Sequence, residues 1–188
     1  MNQKETTQTE SSDENNERSM RKVAGTALAG TSIEWYDFFI YGTAAALVFP
    51  TAFFPAEMPA TVALIASFST FAVGFIARPL GGVVFGHYGD RVGRKKTLVV
   101  ALLIMGAGTT MIGLLPTYES IGFFAPLLLV LLRFVQGLAI GGQWGGAMLL
   151  VTESAPSNKR GYYGAFAQAG APVGVILANL AFLMIGAS

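Results

Sequence analysis

Stretches of about twenty residues with little or no charge recur along this chain, and no other feature constrains its fold as much. Residues 97–115, TLVVALLIMGAGTTMIGLL, hold no ionisable group at all. A hydrocarbon core about 30 Å thick needs about 20 residues of helix to cross it. Comparable runs lie at about 23–50, 62–86, 123–151 and 163–185. The expected fold is therefore all-α and transmembrane, with five spans in a bundle covering residues 21–188. Composition agrees: 53% of residues are hydrophobic and 12% charged, against roughly 25% charged in soluble domains. The 23 glycines suit helices that approach closely.

Residues 1–20, MNQKETTQTESSDENNERSM, have almost no apolar content. Such a segment buries too little surface to offset its ordering entropy, so it is expected to be a disordered cytoplasmic tail. It also lacks the apolar stretch of a signal peptide. Lys4, Arg18, Arg21 and Lys22 precede the first span; Arg91, Arg94, Lys95 and Lys96 lie between the second and third; Lys159 and Arg160 lie between the fourth and fifth. The intervening connections hold no Lys or Arg. Because cations accumulate on the cytoplasmic side, the N-terminus is expected inside and the protein multi-pass in the inner (cytoplasmic) membrane. Five spans leave the other end outside, so the chain is expected to be the front part of a longer protein. There is no cysteine, which excludes disulfide and thiolate chemistry. A net charge of +1 gives no indication of a nucleic-acid partner.

Four ionisable residues fall inside spans: Glu34, Asp37, Arg78 and Arg133. Each costs about 2.5–3.5 kcal/mol on insertion scales, so each is expected to face a cavity or a partner, and a functional site is the default reading. At a rise of about 1.5 Å per residue, Asp37 falls near the bilayer centre and Glu34 roughly 4 Å to its cytoplasmic side. Arg78 falls roughly 6 Å to the cytoplasmic side and Arg133 roughly 5 Å to the outer side. These levels suggest pairing Glu34 with Arg78 and Asp37 with Arg133. Residues three apart share a helix face, so both carboxylates can point into one cavity. A carboxylate there can gain and lose a proton as an arginine or a substrate approaches or leaves, which is what a proton-coupled transporter requires. The alternative is a set of static ion pairs joining helices, although buried pairs are often neutral or costly for stability. Among the neighbouring aromatic residues, Tyr41 is a candidate contact through its hydroxyl.

Residues 86–96, GHYGDRVGRKK, join the second and third spans. Asp90 can cap a helix start and the cations can anchor at headgroups. The combined spacing of Gly86, Asp90, Arg91, Gly93 and Arg94 resembles the signature loop of the major facilitator superfamily. RFVQG (133–137) resembles the R-x-x-Q-G signature of the same superfamily, associated there with proton coupling. EWYDF (34–38), ARPLGG (77–82), GGQWGGA (141–147) and QAGAPVG (168–174) are similar to its metabolite:proton symporter branch, which includes carriers of shikimate, oxoglutarate, citrate and betaine or proline. Gln143 departs from the glutamate usual there, and Gly170-Ala171-Pro172 departs from the Gly-Pro of the antiporter signature, which leans towards symport.

The resemblance implies a twelve-helix fold in two halves with substrate near the midplane, of which this chain holds the first five helices. Taken with the charges at membrane depth, the expectation is that Asp37 and Glu34 exchange the proton and Arg133 couples it, with substrate contacts from Arg78, Arg133, Tyr41, Gln136 and Gln168. The resemblance also implies a gating role for Gly86, Asp90, Arg91, Gly93 and Arg94, against the absent second half of the fold. The expected partners are the bilayer and a small organic acid or zwitterion; no cofactor or metal is expected, and the coupling ion is a proton. His87, the single histidine, reads as a solvated loop residue. The spans hold no second histidine or Ser-Lys arrangement to activate a nucleophile, so an enzyme is not expected. A proton or ion channel or a non-transporting membrane sensor are the alternative functions.

Overall fold

The computed structural model describes residues 3–156 and 158–186, with side chains for 20–93, 96–142, 155–156, 158–166 and 168–184. All regular structure among these residues is helical: α1 (Gln3–Leu47), α2 (Phe49–Ala52), α3 (Ala60–Val92), α4 (Arg94–Gly113), α5 (Tyr118–Ile121), α6 (Phe124–Ser154) and α7 (Arg160–Gly186). The five long helices coincide with the five apolar runs. Four stretches, Ala60–Val92, Lys96–Gly113, Phe124–Gly142 and Arg160–Met184, are long and apolar enough to cross a membrane. α1 falls outside that set because Glu34 and Asp37 sit in its apolar stretch and lower its mean hydropathy.

Element ends differ from the sequence reading in instructive places. α1 is helical from Gln3, so the helix runs through most of the segment read as a disordered tail. Once nucleated, a helix adds one hydrogen bond per residue, and Gln, Glu, Lys, Arg and Met are good helix formers. Side chains up to residue 19, Lys4 and Arg18 among them, lie outside the described part. At its other end α1 stops before Pro50, which occupies the first turn of α2, where its missing N–H leaves no helical bond unmade.

The segment read as a loop at 86–96 is helical except at one residue. α3 continues to Val92 and α4 starts at Arg94, leaving Gly93 between them with φ +105°. Its N–H donates to the Gly89 carbonyl at 3.1 Å, and its own carbonyl accepts the Thr97 N–H at 3.2 Å. A residue with a Cβ rarely adopts that φ, so one glycine makes the whole reversal.

α3 packs most extensively on α6, and α1 on α7, with α4 laid against α6. The first two contacts bring backbones together. A methyl group added at Gly81 would collide with the Leu138 carbonyl, at Gly137 with that of Gly74, and at Gly141 with that of Arg78. On α7, one at Gly174 would meet Trp35 Cβ at 2.6 Å and the Tyr36 backbone nitrogen at 2.7 Å.

The distribution of polarity is reversed from that of a soluble protein. Ile76 is 69% exposed, Val83 74% and Leu103 66%, while Arg133 is the largest of the fully buried side chains at 1%. Only 18–39% of each apolar span window is buried inside the protein. An exposed apolar surface of that extent marks a membrane-facing one. Along α1 the buried side chains change from apolar (Met20, Ala24, Ala27) to polar (Thr31, Ser32, Glu34, Asp37) and back to apolar (Tyr41, Ala45).

Candidate functional site

That polar stretch of α1 meets polar residues from three other helices. Asp37 and Tyr41 come from α1, Thr70 and Phe71 from α3, Thr109 from α4, and Arg133 and Gln136 from α6. Arg133 and Gln136 are three residues apart and therefore share the face of α6 turned inward. Glycines make the space: a Cβ at Gly74 would lie 2.9 Å from Arg133 Nε, and one at Gly108 would lie 2.7 Å from Gln136 Cγ.

Asp37, 3% exposed, has donors on both carboxylate oxygens. Arg133 donates from one terminal nitrogen to Oδ2 at 3.1 Å, forming a buried ion pair. Oδ1 accepts from the Thr109 hydroxyl and from Gln136 Nε2, the latter at 3.4 Å. Gln136 also donates to Thr109 Oγ1 at 2.9 Å and accepts from Arg133 at 3.4 Å. The guanidinium carbon of Arg133 lies 3.9 Å from the Tyr41 ring centroid and 5.0 Å from that of Phe71. Such contacts contribute about 2 kcal/mol or more where water is excluded. Charge at this depth is therefore held by one ion pair, two amide contacts, a hydroxyl and two aromatic faces.

Glu34 lies one turn earlier on the same helix and is also buried. With Trp35, Phe38, Phe75 and Arg78 it lines a cavity of about 130 Å³. Arg78 lies over the Phe75 ring at 4.4 Å. Glu34 Oε2 and Arg78 Nε are buried without a hydrogen-bond partner. Of the two pairings suggested by depth, Asp37 with Arg133 is made. Glu34 and Arg78 share a cavity without closing an ion pair among the described contacts.

The other expected residues are more scattered. Gln136 and Tyr41 join the Asp37 cluster, whereas Gln168 is exposed on α7. Gly86, Asp90, Arg91 and Gly93 lie at the α3–α4 reversal; the side chain of Arg94, like that of Gln143, lies outside the described residues. Sequence reading missed Thr109, Thr70 and Phe71. Thr109 bonds Asp37, while adjacent Thr110 bonds, among the described residues, the Gly106 carbonyl of its own helix at 2.9 Å. Nothing in the spacing of the pair separates them; an ionisable residue on another helix at the same depth is the one available signal.

The sugar (and other) transporter family matches residues 22–187. The chain belongs to this family, within the major facilitator superfamily. Over 167 residues it is 59% identical to the inner membrane metabolite transport protein YhjE of Escherichia coli (strain K12), covering 89% of this chain and 38% of that protein. It is 52% identical to the shikimate transporter of the same strain over 85% of this chain and 36% of the relative. For the proline/betaine transporter, again of that strain, identity is 40% over 84% of this chain and 31% of the relative. The chain thus spans about a third of the length of these curated relatives. No solved structure matches it. Both the family and these relatives are transporters, not enzymes. With the apolar helices, they make this a multi-pass membrane protein. In this major facilitator chain, the R-x-x-Q-G residues Arg133 and Gln136 are both bonded to Asp37.

Proposed function

We propose that the protein containing this chain is a proton-coupled symporter of a small organic acid or zwitterion. The observation that carries this reading is the buried ion pair of Asp37 and Arg133 at 3.1 Å, set among exchangeable partners at membrane depth. Protonation of Asp37 removes the charge that Arg133 pairs with, leaving the guanidinium available to a substrate carboxylate. Deprotonation restores the pair. Proton and substrate are then linked through one cation, and no other cofactor is needed. Glu34 serves as a second proton-exchanging carboxylate, and Arg78, across the cavity from it, as a second contact for an anionic substrate group. Gln136 and Gln168 are further proposed contacts; Gln168 requires helices beyond this chain to bring it to a substrate.

The names of the relatives, shikimate and proline or betaine transporters, support a small polar metabolite. The charge of the connections supports a cytoplasmic N-terminus. In that orientation α1 is the first of five spans. The α3–α4 reversal, with Asp90, Arg91 and Gly93, then lies on the cytoplasmic side, where it would meet the second half of the fold and stabilise one gate state.

The test uses the full-length protein in proteoliposomes, with labelled shikimate, proline and glycine betaine and an imposed pH gradient. Uptake of one probe with accompanying proton entry, abolished by an uncoupler, is the expected result. Proton leak without any probe would instead indicate a channel, and binding without uptake would indicate a sensor.

A further inference from the structure

Tyr41 stands out because its hydroxyl is already engaged. It lies 2.7 Å from Thr70 Oγ1, and Thr70 in turn donates to the Ser67 carbonyl at 2.6 Å. Since the Thr70 proton is committed there, Tyr41 is the donor, and its oxygen is held among α3 atoms. The ring is fixed on further sides, near-parallel to Phe71 at 5.5 Å and edge-on to Phe49 at 5.0 Å. The ring lies 3.9 Å from the guanidinium carbon of Arg133. Tyr41 is 4% exposed.

We infer that Tyr41, locked by Thr70 and backed by Phe71, is a positioning residue: a neutral aromatic platform that keeps Arg133 in place while Asp37 is protonated. The inference rests on the proton-coupled reading above. A guanidinium at membrane depth that loses its counter-ion is drawn towards water or another anion. The ring face attracts it through a quadrupole that does not titrate with Asp37. Arg133 Nε has no hydrogen-bond partner among the described residues; of the contacts that remain without Asp37, the Tyr41 ring at 3.9 Å is accompanied by a long bond to Gln136 Oε1 at 3.4 Å and by the more distant Phe71 ring at 5.0 Å.

The ionisable groups around this pair are Glu34 on α1 and Arg78 on α3. The span parts of α4, α6 beyond Arg133, and α7 after Tyr163 contribute none. A pH effect specific to Tyr41 substitution is therefore read against Asp37, Glu34 and Arg78 alone.

Two measurements on the full-length protein test the platform. In the uptake assay, Tyr41→Leu is expected to raise KM for a transported probe by about tenfold at the acid end of the pH profile. At the alkaline end, where ionised Asp37 holds Arg133, KM should change little. Tyr41→Phe keeps the ring but loses the bond to Thr70, so its KM at the acid end should fall between those of the wild type and Tyr41→Leu. A loss uniform across pH, or Tyr41→Phe as impaired as Tyr41→Leu, would overturn the platform and leave a packing role.

The second measurement needs no transport. In detergent, Tyr41→Leu should lower Tm by at least about twice as much in an Asp37→Asn background as in the wild type, because the neutral amide leaves the ring as the main partner. Additive losses would overturn it. If the wild type moves no probe, the transport reading fails and this thermal cycle decides the platform by itself.

Discussion

Two neighbouring threonines show how much a single position can matter. Thr109 and Thr110 have the same hydroxyl, yet only Thr109 reaches Asp37. Thr109→Val should therefore impair uptake and shift its pH profile, whereas Thr110→Val should leave both near wild type. Oδ1 would keep only the long bond from Gln136 at 3.4 Å; a buried acceptor left unsatisfied costs about 1–3 kcal/mol, a factor of about 5 to 150 in an equilibrium between states. Asp37 makes a sharper test. Asp37→Glu keeps a titratable group and should retain part of the uptake, while Asp37→Asn should uncouple it from the proton gradient. Equal loss in both variants would remove Asp37 from proton exchange and favour a static ion pair. The presence of Asp37 and Arg133 in apolar spans was legible from the sequence. Thr109, Thr70 and Phe71 were not, because Thr and Phe are ordinary residues in a membrane helix; Tyr41 was legible as a candidate through its hydroxyl, whereas it is the ring face that meets Arg133.

At the scale of elements, glycine sets the geometry in two ways. Gly93 alone separates α3 from α4 at φ +105°. Gly93→Ala should destabilise the reversal by about 1–3 kcal/mol, read as a lower Tm in detergent. Gly86→Ala should be tolerated, since nothing lies within 4 Å of where its Cβ would be. The second way is close approach between α3 and α6. A methyl at Gly137 would strike the Gly74 carbonyl, so Gly137→Ala should push the helices apart at a cost of about 1–3 kcal/mol. That separation would also move the Phe71 ring of α3 away from the Arg133 guanidinium of α6, which lies 5.0 Å from it, since Arg133 lies one turn from the crossing. Sequence spacing indicated close packing, and the elements themselves were legible as apolar runs. The continuation of α3 to Val92 was not, since charged and glycine-rich text reads as loop until one knows which glycine breaks the helix.

For the whole molecule, the arrangement is apolar outside and ionic inside, as expected of a bundle whose solvent is lipid. Proposed orientation gives a direct check, because the chain has no cysteine and single thiols can be added. Lys96→Cys should react with a membrane-impermeant reagent only from the cytoplasmic side, and Glu57→Cys only from the outer side. Labelling of both from one side would overturn the proposed topology. The family assignment rests on the match over residues 22–187, and the two signature stretches of the sequence lie within it.

By itself the sequence determined the fold class, the approximate helical runs and the ionisable residues at membrane depth, because hydropathy and helical rise act along one helix at a time. Tertiary structure decided that Arg133 pairs with Asp37, that Glu34 and Arg78 share a cavity without pairing, and that Thr109 and Tyr41 complete the site. The reason is geometric: depth follows from position in a span, but which faces meet depends on how the helices cross. Here the crossings are set by backbone contacts at Gly81, Gly137, Gly141 and Gly174, and those exist only once two helices are together.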